Sequence, residues 1–259
     1  MASGSRRPTG QLDPILYDSR VLQNMLSMEG KFMTSTAIFG TLQQDVTEFM
    51  RVRLGSWLYC VCEDCCCPAG TLTLCLSILD RFLQQQPVQR TDFQKLGAAC
   101  LLIACKLRLL HPISTATLCY LSADSFTKPE LVEQEKLVLE VLKWRTEAIL
   151  ASDFTSHLLS KIQPIHDGLL TRWHQQTNNL VDRALIDPRA GALRPSVLSA
   201  ACCLLAASAQ EGSNNNTDTG HILCQLACAL GIDVSVLSQA KEQVLILVSA
   251  ISVDIFGSQ

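Results

Sequence analysis

Apolar residues recur along the chain at three- and four-residue spacings, and the strict alternation of a strand is nearly absent. Asp13-Pro14 reads as an N-cap followed by Pro at the first helical position, starting a short helix through Leu22 and Leu26. Thr41 is expected to open a long helix with apolar positions Val46, Met50, Leu54, Trp57 and Val61. Pro68-Ala69-Gly70 separates it from a second helix that ends near Leu83. A third runs from Asp92 to Leu109 and breaks before Pro112, and a short fourth covers Ser114–Leu121. The fifth spans Lys128 to Lys143, with Leu131, Val138 and Leu142 on one stripe. The segment Ala148–Asp153 reads as a linker into a further set that includes Gly168–Ile186, Pro195–Ala209, His221–Leu230 and Val234–Ile251.

Five helices, a linker and about five more suggest a duplicated unit. One internal match supports this: Gly97-Ala-Ala-Cys-Leu-Leu-Ile-Ala-Cys-Lys106 aligns with Ser199-Ala-Ala-Cys-Cys-Leu-Leu-Ala-Ala-Ser208, with five identities in ten. A helix of small residues lets neighbours approach on every side, so each half is expected to own one as its centre. The copies differ at their ends, where the first places Lys106 and the second Ser208. The expected architecture is all-α. An N-terminal segment, 1–40, carries a short helix and precedes two tandem five-helix bundles, 41–147 and 148–259. The polar stretch Glu211–Gly220 reads as a loop. Its Asn215-Asn216-Thr217 glycosylation pattern is expected to be idle, because the polar stretch Met1–Gly10 lacks the apolar region of a secretory signal.

Composition narrows the function classes. The 259 residues are 48% hydrophobic, ample for buried cores and unlike a disordered chain. With 21 basic and 24 acidic residues the net charge is −3 and the pI near 5.9, which argues against nucleic-acid binding as the main task. No uninterrupted 18-residue apolar run occurs, so neither membrane insertion nor secretion is expected. The thirteen cysteines include the run Cys60-Val-Cys62-Glu-Asp-Cys65-Cys66-Cys67. Thiolates so spaced could chelate zinc, but no second C-x-x-C and no H-x-x-x-H follows. Cys224 and Cys228 lie one helical turn apart in an apolar context. Reduced cysteines acting as small hydrophobes are the expected reading, with metal binding and redox chemistry as the alternatives.

Four phrases stand out together: Met50-Arg51-Val-Arg-Leu54-Gly-Ser-Trp57, Leu79-Asp80-Arg81-Phe82-Leu83, Leu96-Gly97-Ala98-Ala99-Cys100 with Ala104-Cys-Lys106, and Glu135-Lys-Leu-Val-Leu-Glu-Val-Leu142-Lys-Trp144 with Asp153-Phe154 beyond it. In this order and spacing they resemble the cyclin box, over nearly the whole first unit. Leu-Lys-Trp followed by Asp-Phe is similar to the D-type group. Phe39-Gly-Thr-Leu-Gln-Gln44 and Trp144-Arg-Thr-Glu-Ala148 narrow the resemblance to the cyclins of gammaherpesviruses. The resemblance implies two tandem cyclin boxes, the second diverged.

Three groups of residues follow. Arg51 sits in a helix otherwise rich in apolar positions, and Asp80 interrupts the run Leu76–Leu79. A buried charge is tolerated only when paired, so the two are expected to pair inside the first box, the alternative being two independent surface charges. The resemblance carries Lys106 and Glu135 over as the kinase-binding pair, side by side at the edge of the third and fifth helices; the alternative is two solvated helix charges. Met50, Leu54 and Trp57 share one helix face. With Arg90, Phe93 and Gln94, that face matches the surface that in the family receives short Arg-x-Leu motifs, although Leu54 and part of Trp57 also read as core. Two departures bear on it: Arg53 stands where the family is usually apolar, and Cys60 replaces an acidic residue, so electrostatic recognition of the motif is expected to be weakened or altered.

No catalytic constellation emerges. His111, His157, His166, His174 and His221 are scattered, and neither a Gly-rich phosphate loop nor a nucleophile elbow is present. No cofactor and no metal are therefore expected. The resemblance implies a non-catalytic subunit that activates a host cyclin-dependent kinase, four or six, to drive G1/S phosphorylation in the host nucleus and cytoplasm. The N-terminus lacks the Leu-x-Cys-x-Glu motif of cellular D-type cyclins, and the chain ends at Gln259 without their degradation tail, so slower turnover by that route is expected. The rival readings are a transcription factor on the same tandem fold, which should show a zinc ribbon and a basic surface, and a thiol-rich metal-binding protein.

Overall fold

The computed structural model describes residues 18–162, 167–209 and 219–256. Eleven α-helices are present among the described residues, with one isolated bridge between Phe39 and Gln43 and no strand. Helix α1 is Ser19–Met28. The first bundle comprises α2 (Glu48–Asp64), α3 (Thr71–Leu83), α4 (Phe93–Arg108), α5 (Thr115–Leu121) and α6 (Lys128–Val141). The second comprises α7 (Ala151–Leu159), α8 (Asp167–Leu185), α9 (Pro195–Ser208), α10 (Thr219–Leu230) and α11 (Val234–Phe256). The Asp13-Pro14 helix start, His166 and the Asn215–Thr217 pattern lie outside the described residues.

Two sequence expectations are corrected. The long helix opens at Glu48 rather than Thr41, because Thr47 is its cap: the Thr47 hydroxyl accepts from the Met50 N–H at 3.3 Å. The Thr41 hydroxyl instead donates to the Ala37 carbonyl at 2.7 Å, closing a turn in which Gly40 has φ +80°. The second correction concerns Ala148–Asp153, which is not all linker. Helix α7 starts at Ala151, and the Asp153 carboxylate accepts from the Leu150 N–H at 3.0 Å. An Asp three residues into a helix satisfies a first-turn donor, yet Leu150 supplies no matching side-chain oxygen and so hides the start. Elsewhere the caps are local and legible. Ser114 accepts from Thr117, and Thr127 with Glu130 forms a reciprocal capping box.

Each bundle is built around its small-residue helix. In α4 every residue from Leu96 to Cys105 is buried, and α3 and α6 pack against it. In α9 every residue from Ser196 to Leu204 is buried among α7, α8, α10 and α11. The internal match of Gly97–Lys106 with Ser199–Ser208 thus corresponds to the two central helices. Small side chains permit this: an added Cβ at Gly97 would lie 2.8 Å from Leu54 Cδ1, so α2 and α4 approach closely only without it. Helix α11 contains an 18-residue stretch, Val234–Ile251, apolar and long enough to span a bilayer by length and composition. Leu237, Ala240, Val244, Leu247 and Val248 of that stretch are buried in the second core.

The N-terminal region joins the second bundle more closely than its position suggests. Leu22 is buried in the second core, with Met25 and Leu26 packed against it. Glu29 is almost completely buried and accepts from the Ser196 N–H at 2.8 Å and the Ser196 hydroxyl at 2.9 Å. It places a carboxylate on the open N-terminus of α9, where the helix dipole and unpaired N–H groups favour an anion. Gln43 does similar work in the first bundle: its amide donates to the Leu83 and Gln86 carbonyls, both at 2.6 Å, and accepts from the Val88 N–H at 3.0 Å.

Candidate functional site

Lys106 stands in the last turn of α4, where a cation complements the helix dipole. Its Nζ donates to Glu135 Oε1 of α6 at 2.6 Å. The pair is asymmetric: the Glu135 side chain is 10% exposed and that of Lys106 49%. The carboxylate is therefore held by the fold, while the ammonium retains free donors that point out of it. Beyond Lys106, Leu107 and Leu110 stand in solvent, Leu110 almost completely. Among the described residues the second bundle shows no equivalent pair: its central helix ends at Ser208, whose hydroxyl bonds back to the Leu204 carbonyl.

Met50, Leu54, Trp57, Arg90, Phe93 and Gln94 come together as expected, with Phe49 and Arg53, to line a groove of about 470 Å³. Helix α2 supplies one wall and the start of α4 the other. Leu54 and Phe93 form a buried floor, and Phe49 stands exposed at the rim. Several contacts fix the lining: the Trp57 indole N–H donates to the Leu121 carbonyl at 3.4 Å, the Arg90 N–H to Asp45 at 2.6 Å, and the Ser125 hydroxyl to Gln94 at 3.3 Å. Among the described residues no carboxylate lines the groove, and Arg53 and Arg90 both do. Cys60, one turn beyond Trp57, is exposed, and partial burial with Asp64 nearby pushes its thiol up, so it supplies no negative charge at neutral pH. Phe49 is the lining residue that sequence reasoning missed. Its signal is an exposed aromatic one residue before Met50.

Arg51 and Asp80 pair as expected, Nε to Oδ1 at 2.6 Å and Nη2 to Oδ2 at 2.9 Å. The Arg51 side chain is fully buried; burial pulls its pKa down, and Asp80 beside it outweighs that, leaving it raised. Sequence reasoning did not find the second half of this site. Arg51 Nη1 also donates to the Ile186 carbonyl at 3.2 Å, just past the C-terminal end of α8. The guanidinium therefore ties the first bundle to the second, and an added Cβ at Gly55 would press within 3.1 Å of that same carbonyl. Thr73 makes another tie by donating to Asp182 at 2.7 Å. Burial holds the Asp182 carboxyl up at about 6 despite that bond.

Other sequence candidates scatter. Among the described histidines, His174 bonds Ser156 at 3.0 Å, His157 is buried, and His111 and His221 are exposed. Among the described residues no group of three or more His, Cys, Asp or Glu is arranged to hold a metal ion.

The family model described as the cyclin N-terminal domain matches residues 20–147, and that described as the K cyclin C-terminal domain matches 148–255. A cyclin homolog of Saimiriine herpesvirus 2 is 36% identical over 71% of this chain and 72% of its own length. G1/S-specific cyclin-D2 of Xenopus laevis is 33% identical over 90% of this chain and 81% of its own length. The chicken G1/S-specific cyclin-D2 is 38% identical over 64% of this chain, a match that spans 57% of the chicken protein. The crystal structure of a viral cyclin from herpesvirus saimiri superposes with a TM-score of 0.77 at 32% identity, covering 90% of this chain and 98% of that one. With tandem helical bundles, both family models and viral and D-type relatives in agreement, the chain belongs to the cyclin family and is a viral D-type cyclin.

Proposed function

We propose that the chain binds and activates a host cyclin-dependent kinase of the D-cyclin type, four or six, and so drives G1/S phosphorylation. The observation that carries this reading is the Lys106–Glu135 pair, a buried carboxylate presenting a half-exposed ammonium at 2.6 Å beside solvent-exposed Leu107 and Leu110. Exposed leucines around a pre-oriented charge suit a surface that a partner covers. The chemistry belongs to the kinase, which is active only when its strand Lys pairs with the Glu of its regulatory helix. A subunit that binds that arrangement better than the inactive one shifts the population toward it. Cyclins are regulatory proteins rather than enzymes, and the scattered histidines are consistent with that role here.

The test is kinase affinity and phosphorylation of the retinoblastoma protein, measured with wild type, Lys106→Ala and Glu135→Ala. Both substitutions should weaken binding at least tenfold, or about 1.4 kcal/mol. Undiminished affinity in both overturns the reading.

The groove supports a second element, the docking of short substrate or inhibitor motifs. Its apolar floor suits a leucine, but with Arg53 and Arg90 on its walls and no lining carboxylate, a basic residue of an Arg-x-Leu motif finds no counter-charge. Docking is retained in weakened or altered form. Titration of an Arg-x-Leu peptide checks this, and ordinary tight binding contradicts it. Residence in the host nucleus and cytoplasm belongs to the same reading and is checked by imaging tagged protein in infected cells.

A further inference from the structure

The groove between α2 and α4 has a direction, because its two cations stand at one end. Asp45, three residues before α2, accepts from the Arg90 N–H at 2.6 Å, so Arg90 sits against the start of that helix. Phe49 and Arg53 come from the first two turns of α2 and line the groove at the same end. The opposite end is neutral. Trp57 is held there by the Leu121 carbonyl and Gln94 by the Ser125 hydroxyl. Exposed Cys60, one turn past Trp57, is an uncharged thiol at neutral pH. Between the two ends lies the buried apolar floor of Leu54 and Phe93.

Among the described residues neither cation is ion-paired. Arg53 and Arg90 are both exposed, and every ion pair involves other side chains. The acids around the groove are each engaged: Asp45 by the Arg90 N–H, Glu48 with Arg189 at 3.7 Å, and Asp92 with Lys95 at 2.9 Å. A guanidinium presents a planar fork of N–H donors that matches a carboxylate in two parallel bonds. A basic side chain brought to this end instead meets like charges, which costs affinity and slows encounter. Gln94 adds a feature suited to a peptide. Its Oε1 accepts from the Ser125 hydroxyl at 3.3 Å, which leaves its NH2 to donate to a backbone carbonyl. A groove of about 470 Å³ with an exposed Phe49 at its rim suits a short segment carrying one or two large apolar side chains.

Resting on the docking role of this groove, we propose that its occupant is an acidic-apolar segment of a partner protein. An Asp or Glu of that segment is bound by Arg53 and Arg90, and a leucine or phenylalanine a residue or two away is seated on Leu54 and Phe93. The floor anchors and the cations select, so Arg53 and Arg90 set a preference opposite in charge to an Arg-x-Leu motif. Both guanidiniums are exposed, so salt screens their attraction, while burial against the floor is not screened. Discrimination between acidic and basic segments therefore shrinks with ionic strength, and a charge-independent affinity persists.

The test uses the full chain without a kinase, so its outcome is separate from that of the kinase reading. Three end-capped peptides are titrated by calorimetry, identical except that Glu, Gln or Arg stands two residues before a common Leu-Phe pair. At low salt the affinities should rank Glu, Gln, Arg, with about a tenfold span between the first and last. At about 1 M salt, where the screening length is about 3 Å, the span should fall below about threefold. Arg53→Glu combined with Arg90→Glu should reverse the order, and Phe49→Ala should weaken all three peptides, which places them in the groove. Equal affinities, or a tighter Arg peptide, overturn the acidic preference and leave groove docking itself standing. Binding of none of the three overturns the docking reading and the preference with it. A Glu preference that survives in the double variant, or that salt leaves untouched, overturns the assignment to Arg53 and Arg90. If the double variant loses its helical circular dichroism, the wild-type ranking and its salt dependence decide the matter.

Discussion

Replacing Arg51 with Met removes a guanidinium that has no solvent exposure and strands what it holds. Asp80, 13% exposed, loses bonds of 2.6 and 2.9 Å, and the Ile186 carbonyl loses its 3.2 Å donor. Breaking a buried ion pair from one side costs about 3–5 kcal/mol, and an orphaned carbonyl adds about 1 kcal/mol. The residual exposure of Asp80 lets some water return, so the expected loss is about 4 kcal/mol, a large part of the roughly 5–15 kcal/mol that holds a typical protein folded. Asp80→Leu leaves the cation unpaired and should cost about as much. In the double variant both charges are gone and packing is partly restored, so its loss should fall at least about 3 kcal/mol short of the sum of the single losses. Urea unfolding followed by far-UV circular dichroism measures all three. Additive losses, or a loss below about 1 kcal/mol for Arg51→Met, would mean that two independent charges rather than a coupled pair occupy these positions.

Asp182 gives a pH signature. Its folded pKa of about 6 lies above the ordinary 3.8, so between those values the folded state keeps a proton that the unfolded state releases, and stability falls as pH rises through the window. The accumulated loss is about 3 kcal/mol, and Asp182→Asn should gain that much over wild type at pH 7 relative to pH 4; a difference constant with pH refutes the assignment. Gly97→Ala puts a methyl 2.8 Å from Leu54 Cδ1 and within 3.1 Å of Cγ, so Leu54 must leave its rotamer. It should destabilise by about 1–3 kcal/mol and weaken peptide docking in the groove whose floor Leu54 forms, as calorimetry can show. Glu29→Ala leaves the Ser196 N–H and hydroxyl without their acceptor and should cost about 2–3 kcal/mol, with faster proteolysis of the α1 region. Unchanged stability and cleavage would remove Glu29 from that role.

The sequence by itself determined the elements whose information is local. Periodic apolar residues and caps such as Ser114 and Thr127 mark their helices within a few residues, because a helical turn is closed by neighbours in the chain. The same holds for the logic of Arg51 and Asp80: a charge inside an apolar stripe demands a partner, and the best-placed opposite charge was visible. The resemblance supplied Lys106, Glu135 and the groove residues. Where local signals compete, boundaries moved. Thr41 and Thr47 are equally good caps on paper, and only the turn at Gly40 decided between them. Helix α7 stayed hidden because its cap position holds Leu150 and its nine residues are too few to show a clear period.

The tertiary structure alone decided contacts between distant segments: Glu29 on Ser196, Leu22 in the second core, Arg51 on the Ile186 carbonyl, and Thr73 on Asp182. A backbone carbonyl or helix N-terminus as a partner leaves no mark on residue type. Which of many compatible surfaces meet is set by the packing of whole helices at native density, a property that no window of the chain contains.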